Sequence, residues 1–83
     1  IPVMQRFAPR VIMDCTHAVQ RPGAGNGMSA GDSEYVPAMA LAAKAFGANG
    51  YFFETHPEPK KALSDGPNMI RLDLLEDVIK SLL

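Results

Sequence analysis

Polar clusters stand at two places where an apolar run stops. Arg10-Val11-Ile12-Met13-Asp14 gives way to Cys15-Thr16-His17, and Gly50-Tyr51-Phe52-Phe53 is closed by Glu54, with Asp65 in the loop beyond. One imidazole and two carboxylates can hold a divalent transition metal, leaving positions for a further protein ligand and for water or substrate. A lone His or Asp at a strand end is more often a hydrogen-bonded structural group, so the spacing alone leaves both readings open. Between the clusters, the stretch from Arg21 to Asp32 carries Pro22, Gly23, Gly25, Gly27 and Gly31 and reads as a mobile loop. Its amides and Ser29 could cradle a phosphate, or it could be an ordinary connection. It holds neither a Walker motif nor a G-x-G-x-x-G fingerprint between strand and helix. Cys15 is the only cysteine, which excludes a disulfide framework and a thiolate-rich zinc site. It reads as a small buried residue.

The elements that would position these groups follow from patterning. In both runs the apolar residues stand side by side, as in a parallel strand covered on two faces. A helix is expected from near Ser33, capped by the Ser33 hydroxyl, with Pro37 early, where a missing N–H does least harm. Val36, Met39, Ala43 and Phe46 recur at helical spacing and face a core, and Gly47 ends the helix. Tyr51, Phe52 and Phe53 read as core and not as a base-stacking surface. Between Pro57 and Ala62 there is room for one helical turn. Asp73 and Glu76 make a D-x-x-E capping box. Beyond it, Leu74, Leu75, Val78, Ile79, Leu82 and Leu83 form a stripe that faces the sheet or, alternatively, a partner. Strand, helix, strand, helix implies a parallel α/β sheet. Two strands cannot bury both faces, so the unit is expected to be about a quarter of the elements of a (β/α)8 barrel, which runs to about 250 residues.

Composition narrows the function classes. A chain of 83 residues is one small domain at most, and at that size only about 60% of the unfolded surface is buried. With 47% apolar residues it is not expected to be disordered. A net charge of -1 with no basic run gives no case for nucleic acid or an anionic membrane. No apolar run approaches the roughly 20 residues of a membrane span. The start, Ile1-Pro2-Val3-Met4-Gln5-Arg6, lacks both an initiator methionine and the pattern of a signal peptide. A piece of a longer chain is expected, and its scarce cysteine suits a reducing, cytoplasmic compartment.

Taken together, the motifs resemble one family. Asp14-Cys15-Thr16-His17-Ala18-Val19-Gln20, Pro22-Gly23 and Ser29-Ala30-Gly31 are similar to the seventh strand and loop of 3-deoxy-D-manno-octulosonate 8-phosphate synthases. Phe53-Glu54-Thr55-His56-Pro57-Glu58-Pro59 and Leu63-Ser64-Asp65-Gly66-Pro67-Asn68 are similar to the end of their eighth strand and the loop after it. The resemblance implies that residues 1–83 are the C-terminal βαβα portion of a TIM barrel, strands and helices 7 and 8 of a single domain. It implies a homotetrameric transferase that condenses phosphoenolpyruvate with arabinose 5-phosphate on the way to lipopolysaccharide. It also implies that this chain is inactive alone, since the residues that hold phosphoenolpyruvate lie mostly on earlier strands. His17, Glu54 and Asp65 would be three metal ligands, with a cysteine outside this chain as the fourth, and Mn, Fe, Zn or Co all suit such a set. His17 would also lie beside the phosphoenolpyruvate phosphate, Ser29 would meet the sugar phosphate, and Gln20 would touch the sugar.

Ser64-Asp65-Gly66 stands where metal-independent members carry Cys-Asp-Gly, which implies the metal-dependent branch. The family more usually reads Ser-Gly-Gly followed by arginine where this chain has Ser29-Ala30-Gly31-Asp32-Ser33. A restricted loop at Ala30 and weaker phosphate binding at Ser33 are therefore expected. The alternatives are the related 3-deoxy-D-arabino-heptulosonate 7-phosphate synthase and a non-catalytic interaction module docking through its leucine stripe.

Overall fold

Asn49 sets where the two apolar runs begin to pair. In the computed structural model, which describes residues 1–25, 28–63 and 66–83, the Val11 amide donates to Asn49 Oδ1 at 2.8 Å. The Asn49 amide returns a bond to the Val11 carbonyl at 2.9 Å. In chain order the elements are β1 (Ile12–Asp14), β2 (Gln20–Gly25), β3 (Met28–Gly31), α1 (Val36–Ala45), β4 (Gly50–Phe52), β5 (Thr55–His56), β6 (Ile70–Arg71) and α2 (Leu75–Leu82), joined by short 3-10 turns. β1 and β4 are parallel, with Ile12 opposite Gly50, Met13 opposite Tyr51 and Asp14 opposite Phe52. The strand-helix-strand-helix order and the parallel pairing are as expected.

Alternation along the strands divides the residues between two faces. Met13, Cys15, Tyr51 and Phe53 pack with Val19, Val36, Ala40, Ile70 and Val78 into the core beneath the helices. The other face presents Ile12, Asp14 and Phe52, with Ile12 61% and Phe52 44% exposed. Only two of the three expected core aromatics are therefore core. Val36 and Ala43 are buried as the spacing predicts, but α1 ends at Ala45, and Phe46, its capping residue, is 66% exposed. Gly47 does end the helix, at φ +90°, a conformation that costs glycine no Cβ clash.

Four local expectations are corrected. The glycine-rich stretch is an antiparallel pair, with Gln20 opposite Gly31, Arg21 opposite Ala30, and an irregularity before Gly25 opposite Met28. Ala30 lies in β3, a strand and not an irregular loop. Ser33 opens a 3-10 turn and makes no side-chain cap, the Tyr35 amide being taken by the Asp32 carbonyl at 2.9 Å. The capping box is absent: Asp73 lies inside the 3-10 turn Leu72–Leu74 and not at a cap position, and its carboxylate accepts from Arg71 at 3.1 and 2.7 Å. On α2, Val78 is buried and Leu75 and Leu82 touch the core, whereas Leu74, Ile79 and Leu83 are exposed. The expected single turn is present at Pro59–Lys61. The parallel pair β5–β6, with Thr55 opposite Ile70, has no counterpart in the patterning.

The radius of gyration is 13.5 Å, against about 12 Å for a compact domain of this length. The excess agrees with an apolar face and helix flank left uncovered. Among the described residues no helix is long and apolar enough to cross a membrane.

Candidate functional site

The site is built outward from Asp14. At the end of β1 its carboxylate turns back on the chain, and Oδ1 accepts the amides of Thr16 at 3.1 Å and His17 at 2.9 Å. Aspartate is short enough to make this local bond, which bends the chain into the 3-10 turn His17–Val19. Oδ2 accepts His17 Nδ1 at 2.8 Å. Burial alone would push the Asp14 carboxyl up, but the His17 amide, its ring and the Thr16 amide together hold it below the ordinary carboxylate value. Asp14 is therefore an ionised acceptor for His17 Nδ1, which turns Nε2 away from it.

Glu54 meets that nitrogen. Its Oε1 lies 3.6 Å from His17 Nε2, and the two side chains are 30% and 35% exposed. Thr16 brings them together: its Oγ1 accepts the Glu54 amide at 2.7 Å, and Thr16 itself is 1% exposed. One buried hydroxyl thus ties the end of the second strand to the turn that carries His17. Phe52 stacks on the imidazole, with centroids 6.3 Å apart and ring planes 29° apart, so the ring is held from two directions.

His17 Nε2 and Glu54 Oε1 are two donors of the kind a divalent transition metal takes. A carboxylate on one ring nitrogen of a histidine orients the other toward a cation, and a carboxylate oxygen beside Nε2 adds negative charge. Asp65, the third expected ligand, lies outside the described residues, among which no group of three or more His, Cys, Asp or Glu side chains could hold a metal. Cys15 has no access to the site. It is fully buried, with its thiol pushed up by burial and then by the charge of Asp14. Gln20 starts β2 and is half-buried, three residues past His17. Ser29 is in β3, opposite the irregularity. An open, mainly apolar groove of about 1090 Å³ lies elsewhere, between the Pro57–Leu63 segment and α2, and includes neither His17 nor Glu54.

Two residues escaped the sequence reading. Asp14 was visible as an acid just past an apolar run, able to bond the backbone two residues on, at Thr16, as in an Asx turn. Asn68, fully buried against β3, gave no such signal.

Known proteins bear on this arrangement. The chain is 55% identical over 80 residues to the 2-dehydro-3-deoxyphosphooctonate aldolase of Helicobacter hepaticus, covering 96% of this chain and 29% of that protein. It is 54% identical over 81 residues to the one from Wolinella succinogenes, covering 98% and 30%, and 50% identical over 80 residues to one from Legionella pneumophila, covering 96% and 29%. The chain therefore spans less than a third of the length of these curated relatives. Among solved structures, a phospho-2-dehydro-3-deoxyheptonate aldolase (DAHP synthase) from Thermotoga maritima superposes with a TM-score of 0.68 at 30% identity, over 88% of this chain and 18% of that one. The fold is accordingly the C-terminal βαβα portion of a TIM barrel. In that frame the helices cover one face of the β1–β4 pair, and the opposite face carries Asp14 and Phe52. A family model, described as DAHP synthetase I family, matches residues 1–82. With this match running through both strand-end clusters, the chain belongs to the DAHP synthetase I family.

Proposed function

We propose that the polypeptide carrying this sequence condenses phosphoenolpyruvate with D-arabinose 5-phosphate and water, giving 3-deoxy-D-manno-octulosonate 8-phosphate and inorganic phosphate. The main support is identity of 50–55% along nearly the whole chain to proteins named 2-dehydro-3-deoxyphosphooctonate aldolase. The heptulosonate synthase alternative rests on the more distant structural likeness at 30% identity, and the interaction module has no relative in its favour. In the reaction, carbon 3 of phosphoenolpyruvate attacks the sugar aldehyde, water adds at carbon 2, and phosphate leaves by C–O cleavage.

His17, Glu54 and Asp65, with a cysteine from outside this chain, would hold a divalent metal: Mn, Fe, Zn or Co. When bound, such an ion supplies a polarised aldehyde and a water of lowered pKa. Asp14 accepts from His17 Nδ1, so that Nε2 is the ring nitrogen turned toward Glu54 and toward a cation. Thr16 fixes the backbone of Glu54 beside that nitrogen. Phe52 covers one side of the imidazole and limits water there. His17 also lies beside the phosphoenolpyruvate phosphate in this reading, Ser29 binds the sugar phosphate and Gln20 the sugar. The remaining strands complete the barrel, the intact protein is a cytoplasmic homotetramer serving lipopolysaccharide synthesis, and these 83 residues alone are inactive.

The test is phosphate release from phosphoenolpyruvate by the native polypeptide, with arabinose 5-phosphate and erythrose 4-phosphate in competition. Preference for the five-carbon sugar supports the reading. Preference for erythrose 4-phosphate transfers the chain to the sister reaction.

A further inference from the structure

Asn68 has both carboxamide atoms, Oδ1 and Nδ2, buried with no hydrogen-bond partner among the described residues, and its exposure is 0%. Burial of an unpaired amide is costly and is met in folded proteins where something else holds the group in place. What holds Asn68 is a gap. The turn Gly66–Asn68 packs on β3, and the carboxamide fills the place where a side chain at Gly31 would begin. A Cβ there would collide with Asn68 Oδ1, lie 2.6 Å from its Cγ, and stand 3.3 Å from the Val19 carbonyl oxygen. Gly31 is in turn the cross-strand partner of Gln20. The turn that follows Asp65 in the chain is thus keyed, through one glycine, to the strand pair that begins just past His17.

We propose that Asn68 is a positioning residue for sugar binding: its carboxamide, seated in the notch at Gly31, locks the Gly66–Asn68 turn to β3 and so sets Gln20 relative to His17 and Glu54. The inference rests on the proposed condensation for its substrate and on the notch alone for its geometry. The joint sets the sugar side of the site and leaves phosphoenolpyruvate binding to other residues.

Three variants of the native polypeptide test it: Gly31→Ala, Asn68→Ala and the double variant. Gly31→Ala drives a methyl into the carboxamide and should raise KM for arabinose 5-phosphate at least tenfold, with KM for phosphoenolpyruvate changed less than twofold. Asn68→Ala empties the notch and should raise the sugar KM about fivefold. In the double variant the new methyl takes the vacated space, so the sugar KM should return to within threefold of wild type. Urea midpoints of the metal-free proteins should show the same non-additivity, the double variant being more stable than Gly31→Ala. The proposal is overturned if Gly31→Ala leaves the sugar KM within twofold of wild type, if both KM values rise together, or if the double variant is no better than Gly31→Ala. Should Gly31→Ala not fold, Asn68→Ala decides by whether it raises the sugar KM alone. If the wild type turns over neither sugar, it is the condensation reading that fails, and the urea midpoints still judge the joint: additive losses reject it.

Discussion

Replacing Thr16 by valine isolates the bond that brings the two strand ends together. Valine keeps the volume of threonine and puts a methyl where the hydroxyl was, so no cavity opens at a residue only 1% exposed. What is lost is the 2.7 Å bond from the Glu54 amide. That amide is then left among packed atoms with no acceptor, at a cost of about 1–3 kcal/mol. Serine at position 16 keeps the bond and forfeits one buried methyl, about 0.8 kcal/mol. Stability alone separates the two variants weakly, and the metal separates them well. With its backbone untied, Glu54 no longer has a fixed place beside His17 Nε2, now 3.6 Å from its carboxylate. Urea unfolding of the native polypeptide, followed by zinc titration against a chelator, should show Thr16→Val less stable and at least fivefold weaker for zinc. Thr16→Ser should bind zinc as wild type does. A valine variant with wild-type zinc affinity would refute the idea that Thr16 sets the ligand pair.

Other perturbations give equally definite outcomes. The Asp14 carboxyl is held below its ordinary value of 3.8, so its stabilising contribution is present above that pH and is lost as pH falls through the folded-state pKa. Asp14→Asn should therefore lower stability at pH 7 and cease to matter in strong acid; the side chain is 47% exposed, which limits the effect to under about 1 kcal/mol. Urea curves at a series of pH values falling from 7 into strong acid check this. Cys15, fully buried with a raised thiol pKa, should resist iodoacetamide in the folded protein and react at once in urea, as read by intact mass. Val36 is fully buried in the core; Val36→Ala removes two methyl groups and should cost about 2 kcal/mol by chemical denaturation. Ala30→Gly should destabilise by roughly 0.5–1 kcal/mol, since the position is an extended one in β3. A gain in stability would support the expectation of a loop restricted at Ala30.

How far the letters carried the structure depends on whether a feature is local. The β1 and β4 runs, the buried Val36 and Ala43, and the turn at Gly47 follow from apolar spacing and glycine geometry, and all are found. The β2–β3 pair was missed because its stability is in cross-strand bonds, and glycine and proline weaken the pattern by which strands are recognised. The two short strands β5 and β6 are joined across the Pro57–Asn68 stretch, too far apart for any periodicity to connect. Phe46 and Phe52 were misplaced because an apolar letter does not say which face it takes once a helix has ended or a strand has two exposable sides.

The site makes the same point more sharply, since the chain writes similar letters twice and uses them differently. Asp14-Cys15-Thr16-His17 and Glu54-Thr55-His56 both place an acid, a threonine and a histidine at a strand end. Asp14 reaches its own downstream amides, folds the chain into a turn, and thereby holds His17 by Nδ1. Glu54 shows no such bond to its downstream amides; its side chain approaches His17, while Thr55 and His56 run on as β5. His56 Nδ1 accepts the Glu58 amide at 2.9 Å and so serves the loop. Pairing with β6 and the Thr16 bond hold the second stretch extended, where Asp14 bends the first into a turn. If His17 and Glu54 hold the proposed metal, exchanging the two acids, as Asp14→Glu with Glu54→Asp, should cost zinc affinity even though the net charge is conserved.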